Sequence, residues 1–282
     1  MPRIFQSIFD LFLFSSTYIA LCAVVMVVQT YYLFHFTPLT NFLPFVFFGS
    51  LCSYNFHWYL TPQDFGSSYK VQWSIKNKRL HLLLFVIGLI GSAWYLWQLL
   101  PYWQWLLATA FITFLYSAPK IPAKPFIHLR YIAIGKTIFL AFAWTHITAI
   151  LPLMLSSIEW KPEHYLFAVN RFFFIYAICI LFDYRDRTED KKAGIKSLIT
   201  AFEEREIDII FWSSLLVFLF TTIALHFFAF PILHISALLV PAIIVALLYY
   251  RSKKDHSDYL YHFILDGLMM FSGILLFIFS FI

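Results

Sequence analysis

The sequence predicts an all-α integral membrane protein, a bundle of nine transmembrane helices. Three observations predict it. Hydrophobic residues fill 61% of 282 positions and charged residues 12%, against roughly 45–50% and about 25% in soluble domains. Apolar runs of the length a spanning helix needs, about 20 residues, alternate with short polar breaks. Lysines and arginines collect in every second break. With a mean hydropathy of +0.77, most of the surface must meet lipid.

The spans are expected at residues 8–35, 39–60, 81–100, 102–118, 132–156, 164–184, 207–229, 231–250 and 259–281. The first is too long for a signal peptide and lacks a small-residue cleavage pattern, so it reads as a retained span. Pro38, Pro62, Pro101, Pro119, Pro162 and Pro231 stand at the breaks. Proline lacks an N–H and restricts its predecessor, so it marks helix boundaries.

The loops test the count. The N-terminus, the loops after the second, fourth, sixth and eighth spans, and the first residues of the fifth span hold every lysine and arginine except Lys161 and Arg171. Positive charge is retained on the cytoplasmic side during insertion. The N-terminus is therefore expected inside and the C-terminus outside, with residues 1–282 as a single domain in the plasma (inner) membrane. The net charge of +5 reflects this loop asymmetry, and no basic domain exists to carry nucleic acid. Cys22, Cys52 and Cys179 lie singly in apolar runs, which indicates neither a disulfide framework nor a zinc site.

Any chemistry that needs charge should sit at the mouth lined by the long polar loops. The densest polar stretch closes the sixth span: Phe182-Asp183-Tyr184-Arg185-Asp186-Arg187-Thr188-Glu189-Asp190-Lys191-Lys192. Asp183, Asp186 and Asp190 share one face of a continuing helix. Hard oxygen ligands of this kind suit Mg²⁺ together with a substrate phosphate, and the flanking arginines and lysines could bind phosphate directly. A solvated, mixed-charge helix end is the plainer alternative. A second cluster closes the fourth span: Tyr116-Ser117-Ala118-Pro119-Lys120-Ile121-Pro122-Ala123-Lys124. Here prolines end the helix and two lysines project from a stiffened loop. It reads as an anion site or as ordinary positive flanking of a membrane helix.

Together the two stretches resemble the UbiA superfamily of intramembrane prenyltransferases, whose members have nine transmembrane helices and a cytoplasmic-side active site. The resemblance implies that Asp183, Asp186 and Asp190 hold Mg²⁺ on a prenyl diphosphate, and that Tyr116 and Lys120 contact the same diphosphate, with Lys124 beside them. It also exposes a departure. The family's first aspartate-rich motif should close the second span. There Asn55 aligns with the leading asparagine, but Phe56, Tyr59 and Gln63 take the aspartate positions. Asn55 is thus a candidate diphosphate contact, and His57 either a substitute ligand or a residue hydrogen-bonded within the bundle.

Asp266, in the ninth span, is an ionisable group at membrane depth and so a functional candidate; it is expected to pair with a lysine such as Lys136 or to stay protonated. Arg171 either snorkels outward or pairs inside. Two functions follow from the resemblance. One is Mg²⁺-assisted transfer of a prenyl group from an allylic diphosphate to an aromatic or other lipophilic acceptor. The other is a catalytically degenerate member that binds an isoprenoid or membrane lipid without turnover, or acts as a membrane partner.

Overall fold

The chain alternates between apolar stretches that satisfy their own backbone as helices and short breaks rich in proline and serine. The computed structural model describes residues 3–61, 68–117, 136–192 and 198–281; for Tyr116, Lys136 and Asp190 it describes only the helical backbone. Twelve helices are described: α1 (Arg3–Phe14), α2 (Thr17–Leu33), α3 (Phe42–Tyr59), α4 (Tyr69–Lys76), α5 (Lys78–Gln98), α6 (Trp103–Ser117), α7, α8 (Pro162–Lys192), α9 (Leu198–Ala201), α10 (Glu204–Leu225), α11 (Ile232–Ser252) and α12. Helix α7 runs from Lys136–Thr145 through a π-helical turn, His146–Ile150, to Leu151–Leu155. Helix α12 opens on a second π-helical turn, Leu260–Leu265, and continues as Asp266–Phe279.

The helices close into a ring. Helix α2 packs between α3 and α12; α12 packs on α11, α11 on α10, α10 on α8, α8 on α7, α7 on α6 and α6 on α3. Helix α2 also touches the π turn of α7 across the interior. Helix α5 lies outside, against α3, and buries only His81 and Gly88. A Cβ on Gly88 would stand 2.6 Å from the backbone nitrogen of Cys52. The crossing is that close because glycine lets two helices approach backbone to backbone.

The distribution of residues is inverted relative to a protein in water. Phe227, Leu247 and Trp97 are 82%, 77% and 74% exposed, whereas Arg171, Gln29, Ser272 and Asn170 are buried. Arg171 donates from Nη2 to the Gln29 side-chain oxygen at 2.6 Å, and the Gln29 amide donates to Ser272 at 2.9 Å. Arg171 therefore pairs inside rather than snorkelling, and ties α8 to α2 and α12.

Among the described residues, α5, α7, α8, α10, α11 and α12 are long and apolar enough to cross a membrane, and α1 with α2 make a seventh if that bent pair is one span. The expected first span, 8–35, is thus not continuous. It bends by 56° between α1 and α2, where Ser16 adopts a left-handed backbone with φ 67°. The run Ser15-Ser16-Thr17 explains the break. Short hydroxyl side chains compete for backbone partners and favour turns over helix interiors; Ser15 and Thr17 here bond each other at 2.9 Å.

Candidate functional site

Three polar segments converge at the end of the bundle where α3 and α8 finish and α12 begins. Helix α8 brings Asp183, Arg185 and Asp186. Asp183 is buried and accepts a hydrogen bond from the Thr137 hydroxyl in the first turn of α7. Asp186 is more open and accepts from Arg185 Nε at 2.9 Å. The Arg185 guanidinium lies 5.4 Å from the Phe182 ring centre and 5.2 Å from that of Tyr261, contacts that lower the cost of burying it.

Helix α12 brings Asp258, His262 and Asp266 at intervals of four, Asp258 from the first turn before the π segment. Arg185 Nη1 stands 2.6 Å from His262 Nε2 and 3.8 Å from Asp258 Oδ1. Asp266 Oδ2 lies 3.5 Å from His262 Nδ1. The nearest described partner of Asp266 is therefore this histidine; Lys136, expected as a partner, has its side chain outside the described residues.

Helix α4 brings Lys70. Its first turn is capped by the Ser68 hydroxyl, which accepts from Val71 N at 3.3 Å. Tyr69 and Tyr259 donate to the two oxygens of Asp10 at 2.7 and 2.6 Å, fastening α4 to α1 and α12. Lys70 donates its backbone N–H to Asp258 at 2.8 Å. Its ammonium is buried 3.2 Å from His262 Nδ1 and 4.5 Å from the Trp58 ring centre. Burial lowers the Lys70 pKa below the ordinary lysine range, while the charges of Asp266 and Asp258 oppose that shift.

The hydrogen-bond chemistry restricts the states of this cluster. Arginine only donates, so His262 Nε2 accepts and the ring proton of a neutral imidazole is on Nδ1. That proton is shared with Lys70 Nζ, 3.2 Å away, when the Lys70 amine is neutral and accepts, while Asp266, at 3.5 Å, is an electrostatic neighbour. The cluster is thus a guanidinium, an amine and three carboxylates around one imidazole, largely withdrawn from solvent.

The remaining predicted residues divide. Asn55 is fully buried. Its amide donates to the carbonyls of Ser15 and Leu51 at 3.0 and 2.8 Å, and its oxygen is 2.7 Å from His81 Nδ1. It braces the α1–α2 break against α3 and α5. His57 lies in the last turns of α3, its ring 6.1 Å from that of Trp58. Lys120 and Lys124 lie outside the described residues, as do the side chains of Tyr116 and Asp190. Among the described residues no three histidine, cysteine or acidic side chains are gathered to hold a metal ion. Lys70 and His262 are what sequence reasoning missed. In sequence Lys70 reads only as a flanking loop charge, whereas the interval of four joining Asp258, His262 and Asp266 marks one helix face.

The sequence model of the UbiA prenyltransferase family matches residues 71–271. The match includes Asp183 and Asp186 and begins just after Lys70, leaving α1–α3 outside it. Neither a curated protein nor a solved structure matches the chain.

Proposed function

Because the chain belongs to the UbiA prenyltransferase family, we propose that it transfers a prenyl group from an allylic diphosphate to an aromatic or other lipophilic acceptor. We place the reaction at the end of the bundle where α8 presents Asp183 and Asp186. In this reading the bundle has nine crossings, α3 and α6 joining the other seven, and the charged end faces the cytoplasm. The membrane setting and the transferase class follow from the family and from the apolar helices.

The observation that carries the reading is the pair Asp183 and Asp186, one turn apart at the mouth of α8, with Arg185 on Asp186 and Lys70 joined to Arg185 through the His262 ring. Two hard carboxylates fit Mg²⁺, which takes one or two from a protein and completes its shell with phosphate oxygens and water. Asp183 and Asp186 would hold it, Asp190 supporting, and its chemistry would be neutralisation of the leaving diphosphate. The chain's own cations contribute to the same end. Arg185 and Lys70 stand where charge builds up as the allylic C–O bond breaks and its electron pair leaves with the diphosphate, the stage at which preorganised charge is worth most. Lys120, Lys124 and Tyr116 act on the same group. The acceptor's electron pair then forms the new C–C or C–O bond, and the acceptor gives up a proton. The rings of Phe182, Trp58 and Tyr261 keep water from the cation.

The second reading, an isoprenoid-binding member without turnover, is favoured by one observation. Phe56 and Tyr59 stand where the first carboxylate wall belongs, and Asn55 is committed to packing. Purified protein incubated with tritiated geranylgeranyl diphosphate, Mg²⁺ and a membrane lipid extract as the source of acceptor separates the two. Transfer reads as label moving into a new lipid, and binding without it supports the second reading. Both fail if no diphosphate binds, or if Asp183→Asn with Asp186→Asn binds it as well as the parent does.

A further inference from the structure

Behind the aspartate pair, on another face of α8, lies a separate cavity of about 470 Å³. Tyr184 and Arg187 line it from α8, each one residue beyond an aspartate and so turned about 100° around the helix. Asp208 of α10 and Lys253, Lys254 and His256 at the end of α11 complete most of its wall.

The charges in this cavity do not cancel. Its acids are spent on one cation: Lys253 Nζ lies 2.6 Å from Glu204 and 2.9 Å from Asp208. Asp208 also accepts from the hydroxyls of Tyr249 and Tyr184. The two carboxylates hold Lys253 charged, well above the ordinary lysine range. Arg187 and Lys254 meet no carboxylate among the described residues, and the Arg187 Nε is shut off from solvent without a hydrogen-bond partner. Two cations and a histidine therefore border a hollow whose two acids, Glu204 and Asp208, are both paired with Lys253.

We propose that this cavity is a second anion site, built to take a phosphate group, with Arg187 and Lys254 as its donors and His256 at its rim. Guanidinium and phosphate match in shape and charge. A phosphate in the hollow meets a guanidinium that no described carboxylate neutralises. The site opens at the charged end of three membrane-crossing helices. Tyr250, 64% exposed on α11, forms its outer wall, an amphipathic ring at the depth where tyrosine meets lipid headgroups. The phosphate comes from an anionic phospholipid of that leaflet or from a soluble phosphate compound. The inference does not depend on the transferase reading.

The test is native mass spectrometry of the purified chain released from micelles containing phosphatidylglycerol or phosphatidylcholine, beside melting curves with inorganic phosphate or diphosphate. The expected result is retained phosphatidylglycerol on the parent protein, weakened about tenfold for each charge-assisted hydrogen bond lost in Arg187→Gln with Lys254→Gln. Asp183→Asn with Asp186→Asn should retain the lipid unchanged, which separates this site from the aspartate pair. Stabilisation by inorganic phosphate, lost in the same double variant, would keep the site and assign it to a soluble compound. Equal lipid retention and equal phosphate response in parent and double variant, both folded by their melting curves, would overturn the proposal.

Discussion

Replacing Asn55 with leucine distinguishes a structural asparagine from a substrate-binding one. The two side chains have similar volume, so the change removes hydrogen bonds with little change in packing. Three are lost: to Ser15, to Leu51 and with His81. The Leu51 carbonyl keeps its place in the helix ladder, so its loss is small. The Ser15 carbonyl and His81 Nδ1 are stranded in a fully buried spot, and His81 Nε2 has no hydrogen-bond partner to begin with. A stranded buried group costs about 1–3 kcal/mol, which puts Asn55→Leu, with two of them, at about 2–6 kcal/mol. Thermal unfolding of the purified protein in one detergent should show a clear fall in midpoint. Asn55→Leu with His81→Leu should recover part of it, because replacing both partners removes one stranded group. An unchanged midpoint together with lost prenyl-diphosphate binding would refute the reasoning and return Asn55 to the substrate.

Other outcomes follow from packing and charge. Gly88→Ala should destabilise the α3–α5 crossing by about 1–3 kcal/mol through overpacking against Cys52, whereas Gly49→Ala, with nothing within 4 Å of its Cβ, should leave the midpoint in place; equal effects would remove the crossing from the account. Gln29→Leu should cost more stability than Arg171→Met, because it leaves a buried guanidinium without its acceptor while the reverse change leaves only neutral groups; the opposite ranking of unfolding midpoints would mean that Arg171 has another partner.

Much of the helical pattern is legible because proline and apolar run length act locally. Pro162 opens α8 and Pro231 precedes α11, where the breaks were expected. The bend at Ser16 was hidden because apolar residues continue on both sides, and hydropathy averages over a turn that only backbone geometry reveals. The aspartates of α8 were visible as a motif. Their surroundings were not: Thr137 lies 46 residues from Asp183, and Lys70 lies 192 from His262. Lys70 shows the limit most clearly. A lysine in a loop reads as solvated flanking charge, yet a short capped helix carries this one into the bundle. Arg171 read correctly as an anomaly, but its acceptor on α2 belongs to the fold, not to any local pattern.

The Arg171–Gln29–Ser272 chain also bears on how the protein is made. An arginine near the middle of a helix costs about 2.5–3.5 kcal/mol at insertion. Helix α8 emerges from the ribosome when Gln29 is already in place and Ser272 does not yet exist. Gln29 precedes the arginine in the chain, whereas the link to α12 closes only once that helix has emerged. The order of the three residues along the chain thus makes α2 a waiting partner for an otherwise reluctant segment, and makes α12 the latch that finishes the bundle.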